Sequence, residues 1–140
     1  MTVSGPNPLD SFEAETIYGR TFFNLQKIID ADLKLAESDT RTDRGVLGAV
    51  VAQRVLLEAF PQYGFKCHTK DFECWKDQYL EWFDKNSKRI RMKKAERDQM
   101  RQNAVNEFDR IIELSQPVSY RFADLLEQAR NPEAELSYRD

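Results

Sequence analysis

DRGVLGAVVAQRVLLEAF, residues Asp43 to Phe60, is the stretch on which the fold turns. At 3.6 residues per turn it is long enough for about five turns of helix. A helical wheel sorts its side chains. Gly45, Gly48, Ala49, Ala52 and Ala59 fall on one arc, and Val46, Val50, Leu57 and Phe60 on the next. Arg44, Arg54 and Glu58 take the remaining side, with Leu47 and Val51 among them. A small-residue arc lets a neighbouring backbone approach, and a large-residue arc fills a core. A helix apolar over most of its circumference is expected to be buried. Each interior glycine costs about 1 kcal/mol relative to alanine, so close packing against the small arc is expected to offset that cost.

On the N-terminal side, Ser38 to Thr42 is a polar turn, with Thr42 as N-cap of this helix. Before it, a helix from Asp10 to about Glu37 carries a stripe of Tyr18, Phe22, Leu25, Ile29 and Leu33. Ile17, Phe23 and Ile28 widen that stripe, so the helix is expected to touch two neighbours. Asp10 with Glu13 three residues later fits a capping pattern. Residues 1–9, with Gly5, Pro6 and Pro8, have little to bury and read as a flexible arm.

On the C-terminal side, Pro61 ends the helix, because the residue before proline is pushed out of helical geometry. Residues 61–68 read as a loop with a turn at Tyr63-Gly64, and Thr69 as the cap of the next helix. That helix, about Lys70 to Asp84, aligns Phe72, Trp75, Tyr79, Trp82 and Phe83 opposite Glu73, Asp77, Glu81 and Asp84. The aromatics read as core. Ser87 to Leu114 is helical on pattern, continuous with the preceding helix or separate from it. Met100, Ala104, Phe108, Ile111 and Ile112 form an apolar face in its second half. A last helix starts near Pro117, uses Val118, Phe122, Leu125, Leu126 and Ala129, and stops at Asn131-Pro132. Residues 131–140 read as a frayed acidic tail. The expectation is one all-α domain over residues 10–130, an antiparallel bundle of four to five helices around the 43–60 helix.

The chain has 140 residues, 32% charged and 41% hydrophobic, with a net charge of −3. That length buries a core without disulfides or metal. Two cysteines, Cys67 and Cys74, do not suggest a disulfide framework. No apolar run approaches the roughly 20 residues needed to span a bilayer, and the N-terminus lacks the charge and apolar segment of a secretion signal. The expected location is cytoplasmic.

Chemistry finds little support. Cys67, His68 and Cys74 are the chain's only soft metal ligands, and their spacing does not match the usual paired pattern of a four-ligand zinc site, even with Asp71 or Glu73 added. Cys67 beside His68 is not a nucleophile–base pair, since sequence neighbours rarely face one another. There is no phosphate loop, no di-iron motif and no nucleophile elbow. The reading is a non-enzymatic protein with no cofactor and no metal.

Charge is uneven. Residues 85–103 carry 8 basic and 2 acidic side chains, whereas each of the other segments is acidic. Lys93, Lys94, Arg97 and Arg101 occupy the helical face that becomes the Ala104, Phe108 and Ile111 stripe. A basic helix face docks on an acidic protein surface or on nucleic-acid phosphates. The isoelectric point near 5.3 and the lack of interleaved aromatics disfavour nucleic acid. The functional expectation is an accessory, regulatory or inhibitor-type helical module that binds the acidic surface of another protein through Lys88, Arg89, Lys93, Lys94, Arg97 and Arg101. Nucleic-acid binding by the same residues is the alternative. A homodimer is a further expectation, because the 43–60 and aromatic helices offer much apolar surface.

Overall fold

The computed structural model describes residues 12–38, 45–89, 91–116, 126–127 and 129–130. It contains four long helices: α1, Phe12–Ser38; α2, Val46–Ala59; α3, Thr69–Asn86; and α4, Lys94–Leu114. Among the described residues the only strand-like feature is one isolated bridge between His68 and Gln116. The arm at residues 1–9, the Asp10 and Thr42 caps, most of the helix expected from Pro117, and the tail at 131–140 lie outside the described residues. Within that expected last helix, residues 126–127 and 129–130 are helical, and Leu126 packs on the core.

The chain reverses at each connection. Asp32 Oδ2 accepts from the Gly45 amide at one end of the α1–α2 pair, and Tyr18 meets Phe60 at the other. Lys76 with Asp109 and Arg101 with Asp84 hold α3 antiparallel to α4. Arg54 with Glu107 and Arg110 with Glu58 link α2 and α4 running in the same direction. The helices therefore follow one another around the bundle as α1, α2, α4, α3, with α1 also packed on α3. Helices α2 and α3 are consecutive in sequence but diagonal in space.

The core follows the apolar stripes. Phe22, Ile29 and Leu33 of α1, Val46, Val50 and Leu57 of α2, Phe72, Trp75, Tyr79, Trp82 and Phe83 of α3, and Ala104, Phe108 and Ile111 of α4 are buried together. Tyr79 lies at the aromatic junction, with Trp82, Phe83 and Phe108 rings 5.7, 6.4 and 5.8 Å from it. The aromatic helix is a core element, with both indoles buried.

Several local expectations are corrected. Helix α2 begins at Val46 and ends at Ala59, and Phe60, at φ −132° and ψ 70°, lies outside it. The small arc faces a neighbour only in part: Gly45 lies against Asp32 and Ile28 of α1 and Ala49 is buried, whereas Gly48 and Ala59 are exposed and a Cβ at Gly48 would meet nothing within 4 Å. Burial is instead centred on Val46, Ala49, Val50, Gln53 and Leu57. On α1, Ile17 and Ile28 are exposed and only Phe23 of the widening residues packs on the core.

The connection Pro61–Lys66 is a 3-10 turn that packs on both α1 and α2, not an open loop. Its Gly64 is required by close approach, because a Cβ there would sit 2.7 Å from the Leu114 carbonyl oxygen. Helix α3 is capped by His68, whose Nδ1 accepts from the Lys70 amide at 3.1 Å. Thr69 uses its hydroxyl on Ser115 at 2.8 Å instead. Helices α3 and α4 are separate: a short 3-10 turn, Ser87–Arg89, follows α3, and Lys93 at ψ 154° is extended before α4 starts.

Candidate docking surface at one end of the bundle

The basic segment lies where α3 ends and α4 begins. Lys88 and Arg89 belong to the 3-10 turn after α3, Lys93 is the N-cap residue of α4, and Lys94 is its first residue. Lys88, Arg89, Arg91, Lys93 and Lys94 are exposed, and Arg97 is half-buried. None of Lys88, Arg91, Lys93, Lys94 and Arg97 makes an ion pair with a described residue. Glu96 and Asp98 stand close in sequence without neutralising them.

Arg101 is different. Its Nε and Nη2 donate to the two oxygens of Asp84 at 2.8 and 3.0 Å. That fork holds the Asp84 carboxyl below its ordinary range and the guanidinium above its own. Arg101 thus ties α4 to α3 through two of its five donors, and its side chain remains 41% exposed. The wheel placed it correctly on the face of Ala104 and Phe108. Only the fold brings Asp84, 17 residues earlier, opposite it.

The helix backbone sharpens the electrostatics. Lys93 supplies no side-chain cap to the first amides of α4, and the N-terminal end of a helix carries about half a positive charge. Lys93, Lys94 and Arg97 add to that charge and repel it. Such placement lowers stability by roughly 0.3–1 kcal/mol per exposed cation at low salt. A surface serving only solubility gains nothing from this arrangement.

The cysteine–histidine segment has structural work. Cys67 is buried, receives a hydrogen bond from Gln26 Nε2 at 3.6 Å and donates to Gln53 Oε1 at 3.8 Å. Desolvation pushes its thiol up to about 12, so it is protonated at neutral pH and a poor nucleophile. Cys74 is exposed on the outside of α3, with Gln78 Nε2 3.3 Å away. His68 is occupied as a cap. Among the described residues no three His, Cys, Asp or Glu side chains are gathered to hold a metal ion. No described helix is long and apolar enough to cross a membrane.

The polar core was not apparent from periodicity. Gln26 and Gln53 are buried, and Gln26 Nε2 donates to Gln53 Oε1 at 3.3 Å and to the Lys66 carbonyl at 3.0 Å. Gln26 lies on the same side of the wheel as Phe22, Ile29 and Leu33, which is the signal that could have found it. No protein-family model, no curated protein and no solved structure matches the chain.

Proposed function

We propose that the protein is a non-enzymatic binding module that docks the α3–α4 end of its bundle on an acidic surface of another protein. Lys88, Arg89, Lys93, Lys94 and Arg97 are the contact residues, with Arg91 added to them and Arg101 also holding Asp84. The observation that carries this reading is the cluster of cations at a helix N-terminus without a side-chain cap, with no ion pair from Lys93, Lys94 or Arg97 to a described residue. A carboxylate from a partner would pair with these side chains and accept from the first amides of α4.

Protein is favoured over nucleic acid by the low isoelectric point and by the burial of the nearest aromatics, Trp82 and Phe83, which are unavailable for base stacking. The test is a pull-down with the full chain beside a Lys93→Glu, Lys94→Glu, Arg97→Glu variant, with and without nuclease. The acidic replacements suit the helix dipole, so the variant is expected to melt at the same temperature or higher. The reading expects a partner that survives nuclease and is lost in the variant. Retention of every partner by the variant overturns it. Co-purifying nucleic acid with affinity falling steeply as salt rises replaces it with the phosphate-binding alternative.

A further inference from the structure

The outer side of α1 and α2 carries a second exposed surface. Along α1, Ile17, Thr21, Asn24, Ile28, Ala31 and Leu35 recur at alternating spacings of four and three. All are exposed except Thr21, which is half-buried. Such spacing is the seam of a helix that packs on another helix. The large members are well exposed: Ile17 60%, Ile28 43% and Leu35 46%.

Beside this row, α2 presents Gly48, Ala52, Val55 and Ala59 at the same alternating spacing. Val55 is 49% exposed, and the space beyond Gly48 is open. The rows adjoin, because a Cβ at Gly45 would lie 3.6 Å from Ile28 Cγ2. A ridge of large side chains on α1 thus runs next to a low strip on α2. This is the relief that seats a third helix between two others.

Charge selects the occupant. The edge of α1 away from α2 carries Arg20, Lys27 and Lys34, spaced by seven and all exposed. Lys34 makes only a surface pair with Asp30 at 3.0 Å, Lys27 lies 5.3 Å from the Phe23 ring centroid, and Arg20 has no ion pair with a described residue. A second copy docking about a two-fold axis brings the same patch of both molecules together. With α1 packed antiparallel on α1, the two basic edges would face each other, and like charges so placed oppose association.

We propose that the α1–α2 outer face binds an amphipathic helix of another protein whose flank beside Arg20, Lys27 and Lys34 is acidic. The row from Ile17 to Leu35 spans about 27 Å at 1.5 Å per residue, so the bound helix has roughly five turns. This surface is separate from the Lys93–Arg97 cluster, and neither reading depends on the other.

The probe is a synthetic helical peptide of about 20 residues, with leucine at heptad a and d positions and glutamate on both flanks, compared with a lysine-flanked twin. Binding to the full chain is followed by fluorescence anisotropy. The glutamate peptide is expected to bind about tenfold more tightly than the lysine twin, with the gap narrowing in salt. Arg20→Glu with Lys27→Glu is expected to reverse that preference. Ile28→Glu and, separately, Gly48→Trp are expected to weaken binding about tenfold or more, with melting temperatures near wild type because both positions face solvent.

Equal affinity for the two peptides, or indifference to both Ile28→Glu and Gly48→Trp, overturns the proposal. So does sedimentation showing a dimer of the full chain that Ile28→Glu dissolves, which assigns the face to a second copy. A photo-crosslinker on Ile28→Cys, in a Cys74→Ser background, that links within one chain to residues 117–140 also overturns it.

Discussion

Gln26 shows how much one polar side chain holds together. Its amide reaches Gln53 on α2, the Lys66 carbonyl in the 3-10 turn and the Cys67 sulfur. Gln26→Leu would take away the donor that serves the Lys66 carbonyl and the Cys67 sulfur, a loss of about 1–3 kcal/mol, read by chemical denaturation. Cys67 gives a pH dependence. Its folded pKa is raised from 9.0 to about 12, so the folded state retains a proton that the unfolded state gives up. The stabilisation is present below about pH 9 and declines by about 1.4 kcal/mol per pH unit as the pH rises toward 12. Cys67→Ala is expected to flatten the alkaline arm of the stability profile relative to wild type. At neutral pH a thiol reagent is expected to modify Cys74 in the native protein and Cys67 only after unfolding. These roles were hidden in the sequence because a buried glutamine and a surface glutamine have the same letter. The tie from Gln26 to Cys67 spans 41 residues, beyond the reach of any local pattern.

At the scale of elements, the apolar stripes of α1, α3 and α4 were legible because polar residues mark their opposite sides. Helix α2 lacks that marker. Its fourteen residues, VLGAVVAQRVLLEA, contain only Gln53, Arg54 and Glu58 as polar side chains, and Gln53 is buried. A wheel of small and large residues then leaves the outward direction undetermined, and its small arc points Gly48 toward a neighbour although the residue is exposed. Its true position changes the sign of a mutation. Gly48→Leu is expected to stabilise by about 0.5–1 kcal/mol through helix propensity, where inward packing would have made it destabilising. A raised melting temperature checks this. Gly64→Ala is the contrasting case. The added methyl would press on the Leu114 carbonyl oxygen, and the expected loss is about 1–3 kcal/mol through overpacking. The Arg101–Asp84 fork joins two elements at partly exposed positions, so a double-mutant cycle is expected to give only about 0.2–1 kcal/mol of coupling. With the Asp84 carboxyl lowered, that coupling is present above about pH 4 and fades as the pH falls through the folded value.

For the whole molecule, the diagonal placement of α2 and α3 has a kinetic meaning. The entrance to α3 is clasped to the exit of α4. The Gln116 amide donates to the Cys67 carbonyl at 3.1 Å, and the Thr69 amide donates to Gln116 at 3.4 Å. The Thr69 and Ser115 hydroxyls bond across 46 residues of chain. The first amides of α3 and the last residues of α4 are therefore hydrogen-bonded through one another and not through their own helices alone. In deuterated solvent the backbone protons of Thr69 and Gln116 are expected to exchange together, at rates close to that of Phe108 in the middle of α4. Each requires the bundle to open, not one helix end to fray. Fast exchange at Gln116 with slow exchange at Thr69 would show that the two ends come apart independently.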